Sequence, residues 1–313
     1  MSASPVWAVV TSYRPDAGLI TALGALQSQV DVVIVVDDGS GPEWSAVLDE
    51  ARGGGARVVR LSQNSGIAVA LNTGIRAAFD EGAGAVVTFD QDSVVQDGFI
   101  DALQAARASA RLAGRAHGPI VPEFFAHVRQ VHRVQPDGTL IARHAIQSGM
   151  LLDRELLEEV GLMREDLFID LVDTEFELRC AAAGRPTVAA PGLDLAHSLG
   201  RQYERRMFGR VVSLPGIPPV VTLSTPFRYY YRVRNRLVVN RAFWRAEFGW
   251  VARDTLLELV HYANVWMLAR PRRAMWRLYR AAIRDARRAR MGRMPADLVG
   301  VASTISWAAP PAG

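Results

Sequence analysis

Apolar, β-branched runs alternate with segments of helical periodicity in the first third of the chain. The four runs predict buried strands and are VWAVVTS (6–12), DVVIVVDD (31–38), ARVVRLS (56–62) and GAVVTFD (84–90). Between them, apolar residues recur at helical spacing in residues 18–29, 42–54 and 66–82. Continuous apolar strands joined by helices predict a parallel sheet covered on both faces, and therefore an α/β fold.

The pattern changes beyond the fourth run. Residues 114–145 predict irregular strands and loops, and a strand with a short helix follows them. A further helix is expected from about residue 173, and from residue 225 the chain is mostly helical and rich in arginine and aromatic residues. We therefore expect an α/β domain over residues 1–224 and a helical, basic extension over residues 225–313.

Charge is divided unevenly along the chain. The net charge is +4, and all 36 basic residues are arginine. Residues 1–200 carry 15 arginines and 26 acids, a net −11, whereas residues 201–313 carry 21 arginines and 6 acids, a net +15. This asymmetry predicts an anionic partner for the C-terminal part.

Several classes of protein and location are disfavoured by what the sequence lacks. The N-terminus has no basic region before its first strand, so no signal peptide is expected, and no window approaches the ~18 uncharged apolar residues of a membrane span. We expect a cytoplasmic protein, either free or attached to the inner face of the cell membrane. GxGxxG does not follow the first strand and GxxxxGK[ST] is missing, which disfavours dinucleotide-dependent oxidoreductases and P-loop enzymes.

Two aspartates close the fourth apolar run. Asp90 and Asp92 are separated by Gln91, and residues i and i+2 of an extended segment point the same way. Both carboxylates can therefore converge on one hard cation, Mg²⁺ or Mn²⁺, which is commonly bound by one or two carboxylates and diphosphate oxygens. A simple strand-end turn is the alternative.

Polar residues also follow other strands at the edge where ligands bind in such sheets. A carboxylate at Asp38 can accept the N3–H of a uracil or thymine ring, although Asp-Gly-Ser is also typical of a turn or helix cap. Asn64 and Gly66 precede a predicted helix N-terminus, which favours anions. Asn72 lies about two turns further on and can share a helix face with Asn64.

Asp173 begins the helix predicted after LFIDLV. A carboxylate at a helix N-terminus is stabilised as the anion, which keeps it available as a general base. An N-cap is the alternative role.

Taken together, the order and spacing of these motifs resemble the inverting, nucleotide-sugar-dependent glycosyltransferases of family 2, which have the GT-A fold. The motifs lie within residues 5–200 and are VVTSYRP, VVDDGS, NSGIAVALNTGI, TFDQDS, SGMLLDRELLEEVGLMREDLFIDLVDTEFELR and AHSLG. DQDS, LFIDLVDTEFELR and HSLG are most similar to rhamnosyltransferases that build bacterial surface polysaccharides.

The resemblance implies a role for each matching residue. It implies that Asp38 holds the base with Thr11 beside it and that Asn64 and Gly66 lie near the nucleotide. Asp90 and Asp92 match the DxD element, with Asp92 as the more direct ligand of a divalent metal. Asp173 matches the catalytic base. His197 matches a histidine that joins the metal and the diphosphate.

Three functions remain open at this point. The first is transfer of rhamnose from dTDP-L-rhamnose to a glycan or lipid-linked acceptor. The second is the same mechanism with another donor, such as a galactofuranosyl or hexosyl nucleotide. The third is a non-enzymatic nucleic-acid-binding protein, which is disfavoured because no recognisable nucleic-acid-binding module is found.

Residues 270–294 form the most basic segment, with ten arginines and one acid. Met275, Trp276, Leu278 and Tyr279 lie among them. The segment predicts either a solvated helix packed on the protein or a surface helix on anionic lipid.

Overall fold

The structure is a computed structural model that describes residues 5–114, 116–196, 202–204, 206–207, 210–211 and 220–308. Its strands are β1 Val6–Ser12, β2 Val32–Asp37, β3 Arg57–Arg60, β4 Ala85–Asp90, β5 Ile120–Phe125, β6 Val128–Arg129, β7 Val131–Val134, β8 Leu140–Ala142, β9 Met150–Asp153, β10 Val188–Leu195, β11 Gln202–Glu204, β12 Arg206–Met207, β13 Arg210–Val211, β14 Val220–Thr222, β15 Ala269–Arg270 and β16 Ser306–Trp307. Its helices are α1 Gly18–Gln27, α2 Ser45–Gly53, α3 Ile67–Asp80, α4 Phe99–Leu112, α5 Arg154–Val160, α6 Val172–Ala182, α7 Arg228–Phe243, α8 Phe248–Leu268, α9 Arg272–Arg287 and α10 Ala296–Ser303.

One large sheet organises the N-terminal part of the chain. Its strand order is β3-β2-β1-β4-β9-β5-β10-β8-β7, with β6 paired to β5. The four strands predicted from the apolar runs are mutually parallel where they pair, so the prediction of a parallel arrangement is confirmed for them. β9 then enters antiparallel to both β4 and β5. The result is a mixed α/β fold.

The region predicted to be irregular contains a buried strand. β5 (IVPEFF) pairs with β9 and β10 inside the sheet. Glu123 is buried there, where it accepts hydrogen bonds from Arg129 Nε at 2.7 Å and Gly192 N at 2.7 Å. The carboxylate is therefore satisfied by one residue of the next strand, six positions away, and by one that is 69 positions away, and neither contact is visible in the local pattern of β5.

Helix α3 lies unusually close to the sheet. A Cβ on Gly74 would lie 2.4 Å from Val9 Cγ1 and 3.0 Å from Val36 Cγ2, so only glycine allows this approach to β1 and β2. The close contact holds the middle of α3 against these two strands.

The chain divides into two compact units. One comprises Met1–Phe168 with Val172–His197, and the other comprises Ser198–Gly313 together with the three residues Ile169–Leu171. The boundary expected at residue 225 stays a prediction, because much of residues 197–219 lies outside the described part of the chain.

The second unit is mainly helical. Tyr230 on α7 donates a 2.9 Å hydrogen bond to Asp285 on α9, and the Tyr231 hydroxyl accepts one of 2.8 Å from Met294 N. Asp285 is almost completely buried, so this hydrogen bond lies in the interior of the helical unit. Among the described helices, none has the length and hydropathy needed to cross a bilayer.

Candidate active site

The site begins with the register of three parallel strands. Thr11, near the end of β1, is paired with Asp90 at the end of β4, and Ser12 is paired with Asp37 at the end of β2. Thr11 is buried, and its hydroxyl donates to the Phe89 carbonyl at 3.4 Å. The predicted convergence of polar residues at this edge is therefore present for β1, β2 and β4.

Asp38 connects the end of β2 to the start of α3. Its Oδ1 accepts a hydrogen bond from Ser65 N at 2.6 Å and its Oδ2 accepts one from Gly66 N at 2.9 Å. The buried carboxylate thus binds amide groups just before the N-terminus of α3, where the sequence indicates that an anion is favoured. It also has a fixed orientation.

Gly66 holds the turn into α3 against Phe168. The glycine has a φ of +98°, and a Cβ at this position would lie 2.4 Å from the Phe168 carbonyl oxygen. The same oxygen accepts a 2.9 Å hydrogen bond from Ile67 N. Gly66 is consequently required for this close approach of two backbones, whatever else it contacts.

The DxD element is a strand-end turn and not the extended segment predicted, because β4 ends at Asp90 and Ser93 N donates to the Asp90 carbonyl at 3.2 Å. Its two carboxylates are differently placed. Asp90 is half-buried and accepts a 2.5 Å hydrogen bond from Gln147 Nε2, whereas Asp92 is exposed. Gln91, between them, accepts from Tyr13 N at 2.9 Å and so ties the β4 end to the β1 end. Gln91, the middle residue of the element, therefore has a structural role.

Three buried polar atoms at or next to this edge have no hydrogen-bond partner among the described residues: Ser12 Oγ, Asn64 Oδ1 and Gln147 Oε1. A buried polar atom without a partner costs about 1–3 kcal/mol. Native proteins leave few such atoms, and a site for a polar ligand is one place where they occur. Their grouping indicates that this edge receives a polar molecule.

Asp173 lies in the first turn of α6, which begins one residue earlier at Val172. It is half-buried, and its Oδ1 accepts from Thr174 N at 2.8 Å. Asp173 is thus a helical residue in the acidic first turn, where the helix dipole favours its charged form.

Glu177, one turn after Asp173, is a functional candidate that the sequence analysis missed. It is 3% exposed, its Oε2 accepts from Ala145 N at 3.0 Å, and Arg143 Nε lies 3.7 Å from its Oε1. Burial raises the pKa of Glu177 to about 7; the Ala145 amide and Arg143 oppose the rise, and the charge of Asp173 adds to it.

The segment 145–147 connects the two acidic regions. The Ala145 amide binds Glu177 on α6, while the Gln147 side chain binds Asp90 at the end of β4. Two residues of one short segment therefore anchor helix α6 and the end of β4 in the same part of the N-terminal unit. Glu177 lies within the LFIDLVDTEFELR motif, but no motif indicates the contacts of Glu177 and Gln147, because their partners are distant in the chain.

The residues immediately before α6 have an unusual backbone. Phe168, Asp170 and Leu171 all have positive φ, at 68°, 64° and 62°. Such conformations persist in non-glycine residues only when the surroundings enforce them, and they cluster at functional sites.

Helix α7 of the C-terminal unit holds this segment. Arg228 binds both carboxylate oxygens of Asp170, at 2.6 and 3.1 Å, and the buried Asn235 side chain donates to the carbonyls of Ile169 and Asp170 at 2.9 Å each. These contacts lie within the C-terminal unit, and Asp173 follows two residues after Leu171.

Other motif residues serve the fold. Arg179 pairs with Glu175 and donates to the carbonyls of Val160 and Leu162, so this pair of the EFELR motif closes the turn after α5. Asn72, expected to share a face with Asn64, instead binds Met163 and Glu165. A buried amide with both ends occupied is a structural residue.

The metal assignment rests on Asp90 and Asp92. Within the described residues, no group of three or more His, Cys, Asp or Glu side chains is arranged to hold a metal ion. His197, the third expected ligand, lies outside the described residues. Carboxylate oxygens are the ligands that Mg²⁺ and Mn²⁺ prefer, so the two aspartates fit a cation of this kind.

Comparison with known proteins defines the class. The family model described as glycosyl transferase family 2 matches residues 7–161. The chain belongs to this family, and the resemblance stated from its motifs is confirmed. It is 30% identical over 253 residues to dTDP-rhamnosyl transferase RfbF of Shigella flexneri, an alignment that covers 76% of this chain and 80% of that protein.

A solved structure supports the fold assignment. GalNAc-T7, solved with UDP, GalNAc and Mn²⁺, matches 78% of this chain with 15% identity and a TM-score of 0.55. A fragment of TarS from S. aureus matches 75% of this chain with 16% identity and a TM-score of 0.47. The chain spans 49% of GalNAc-T7 and 65% of the TarS fragment. The α/β fold is of the GT-A type, as predicted.

Proposed function

We propose that this protein transfers L-rhamnose from dTDP-L-rhamnose to a glycan or lipid-linked acceptor, with inversion at the anomeric carbon. The observation that carries the proposal is the group of polar side chains and partnerless polar atoms at the ends of β1, β2 and β4, in a chain of this glycosyltransferase family. The likeness to RfbF supports rhamnose as the sugar.

We assign Asp173 as the general base. The acceptor hydroxyl oxygen attacks the anomeric carbon while the bond from that carbon to the diphosphate oxygen breaks. The Asp173 carboxylate takes the hydroxyl proton, and the nucleoside diphosphate leaves with the electrons of the broken bond. One displacement of this kind inverts the anomeric carbon, and general-base assistance typically contributes about 10²–10⁴ to the rate.

The nucleotide is assigned to the strand ends. The Asp38 carboxylate is oriented by two backbone amides, and because a carboxylate can accept about four hydrogen bonds, capping α3 is compatible with accepting the N3–H of thymine. Thr11 lies beside the base in this proposal. Asn64 and Gly66 lie near the nucleotide, where the partnerless Asn64 Oδ1 accepts from a donor on the ligand.

Asp90 and Asp92 are assigned to a divalent cation, Mg²⁺ or Mn²⁺, with His197 as a further ligand. When bound, such a cation neutralises charge on the departing diphosphate. The Gln147 side chain orients Asp90 by its hydrogen bond, and the exposed Asp92 is the more accessible of the two carboxylates.

The test is a competition between donors. The purified full chain is incubated with dTDP-L-rhamnose and a UDP-hexose or UDP-galactofuranose together, with Mg²⁺ or Mn²⁺, and the released dTDP and UDP are separated and quantified. We expect dTDP to be released preferentially and the release to be lost in Asp173→Asn. A UDP-sugar consumed at least as fast would favour the same mechanism with another donor.

A further inference from the structure

Helix α8 has its polar side turned inward. On α7, Arg236 pairs with Asp254 and Glu258 of α8, and Arg232 also pairs with Glu258 at 3.3 Å. All four side chains are largely buried. The two acids of α8 are therefore used inside the helical unit.

The opposite side of α8 is apolar and exposed. Leu256, Leu257 and Leu259 are 65%, 58% and 60% exposed. With 3.6 residues per turn, one half of the helix contains these leucines and their exposed apolar neighbours. This half, called the α8 face below, comprises Phe248, Ala252, Leu256, Leu257, Leu259, Val260, Ala263 and Trp266.

This arrangement is the reverse of that in an ordinary surface helix, which buries leucines and exposes charges. Exposed apolar residues that occur singly are common, but a contiguous apolar face marks a surface that meets a partner or a membrane. On this half of α8, whose residues are all described, Arg253 is the only charged residue.

The surroundings of the α8 face are cationic and aromatic at both ends. Arg241 and Arg245 are exposed shortly before α8, and Arg270 and Arg272 are exposed after it. Trp244 packs against Phe248 at the start of the helix, and Arg272 lies 5.4 Å from the Trp266 ring at its end. Tryptophan and arginine beside an apolar helix face are typical of helices that lie in a membrane interface.

We propose that the α8 face docks on a bilayer that contains anionic lipid, with its leucines among the acyl chains and the flanking arginines at the headgroups. A second copy of the chain fits less well, because arginines flank both ends of the α8 face and a two-fold contact would bring those of one copy against those of the other.

The proposal places the lipid contact on α8. From sequence, residues 270–294 are the segment for which a contact with anionic lipid is one of two interpretations. In α9, Met275, Leu278 and Tyr279 are buried, so the apolar side of this helix is already used in packing. Trp276 is its exposed large apolar residue, at 53%. This favours the packed-helix interpretation of residues 270–294.

The experiment is co-sedimentation of the full chain with vesicles of phosphatidylcholine alone and of phosphatidylcholine with 30% phosphatidylglycerol. The vesicles contain no acceptor, so the outcome is independent of the proposed transfer reaction. We expect binding to the anionic vesicles that weakens as NaCl is raised, because salt screens the arginine contribution. Leu256→Asn with Leu259→Asn should lower the partition coefficient at least about tenfold, since two exposed leucines no longer enter the bilayer.

Two matched variants distinguish binding through the α8 face from nonspecific adsorption of exposed apolar residues. Leu112→Asn changes an 89% exposed leucine on α4, and Trp276→Ala changes the exposed residue of α9; both should bind like the wild type. Retained binding by the α8 double variant, or equal loss in either control, would overturn the proposal. A stable dimer without lipid that the α8 double variant dissociates would also overturn it, in favour of a second copy.

Discussion

Replacing Glu177 with glutamine should change how the stability of the protein depends on pH. Burial and the nearby Asp173 charge raise the pKa of Glu177 from its ordinary value of 4.5 to about 7. The folded protein therefore holds a proton at Glu177 that the unfolded chain releases between these two pH values. The contribution of Glu177 to the free energy of unfolding is greatest below pH 4.5 and is lost as the pH rises towards 7.

The magnitude follows from the two pKa values. At about 1.4 kcal/mol per pKa unit, the whole loss is about 3 kcal/mol. Between pH 5 and pH 8 most of this range is crossed, so the wild type should lose about 2–3 kcal/mol of unfolding free energy through Glu177 alone. The Glu177→Gln variant has no such proton to release. Its free energy of unfolding relative to that of the wild type should therefore rise by about 2–3 kcal/mol between pH 5 and pH 8.

Urea denaturation of both proteins at pH 5 and pH 8 measures this difference. Glu158→Gln, on the exposed side of α5, is the matched control and should follow the wild type at both pH values. Parallel profiles of Glu177→Gln and the wild type would refute the reasoning, since they would mean that Glu177 is ionised in the folded protein throughout this range.

Three further predictions concern the site. Asp92→Ala should abolish transfer and weaken metal-dependent binding of the nucleoside diphosphate, measured by calorimetry. Asp97→Ala, which changes an exposed neighbour, should do neither. Full activity of Asp92→Ala at saturating donor would contradict the metal role. Asp173→Asn should lower kcat by about 10²–10⁴ with donor affinity nearly unchanged, and a collapse of affinity with surviving turnover would make it a binding residue. Asn235→Ala, which removes two hydrogen bonds to the segment before α6, should lower kcat more than it raises the donor KM, whereas unchanged kinetics in a folded variant would mean that Asn235 does not position Asp173.

The strands β1, β2 and β4 were predictable because their apolar runs end in polar residues. β1 was predicted at 6–12 and is found there, and β4 ends at Asp90 as its pattern indicates. What the sequence does not contain is the pairing of distant residues. Glu123 obscures β5 because one of its partners, Gly192, is 69 positions away and is recognisable only in the folded sheet.

The same reason explains the site residues that were missed. Glu177 lies within the LFIDLVDTEFELR motif, but the motif does not indicate its contact, and Gln147 has no motif of its own. The importance of both residues comes from hydrogen bonds to Ala145 and Asp90, which are distant in the chain. For α8, the sequence predicts a helix but not which side faces inward. That choice depends on Arg236 of α7, which pairs with the two acids of α8.

The segment Ile169–Leu171 also limits which parts of this protein can be exchanged with those of a relative. Its residues belong to the C-terminal unit although the chain on both sides belongs to the other unit. Asn235 binds two main-chain carbonyls there, a contact that does not involve the side chains of Ile169 and Asp170, whereas Arg228 binds the side chain of Asp170. A chimera that takes residues 198–313 from a relative would therefore separate residue 228 from its native partner at position 170. The pair is kept only if residues 170 and 228 come from the same protein.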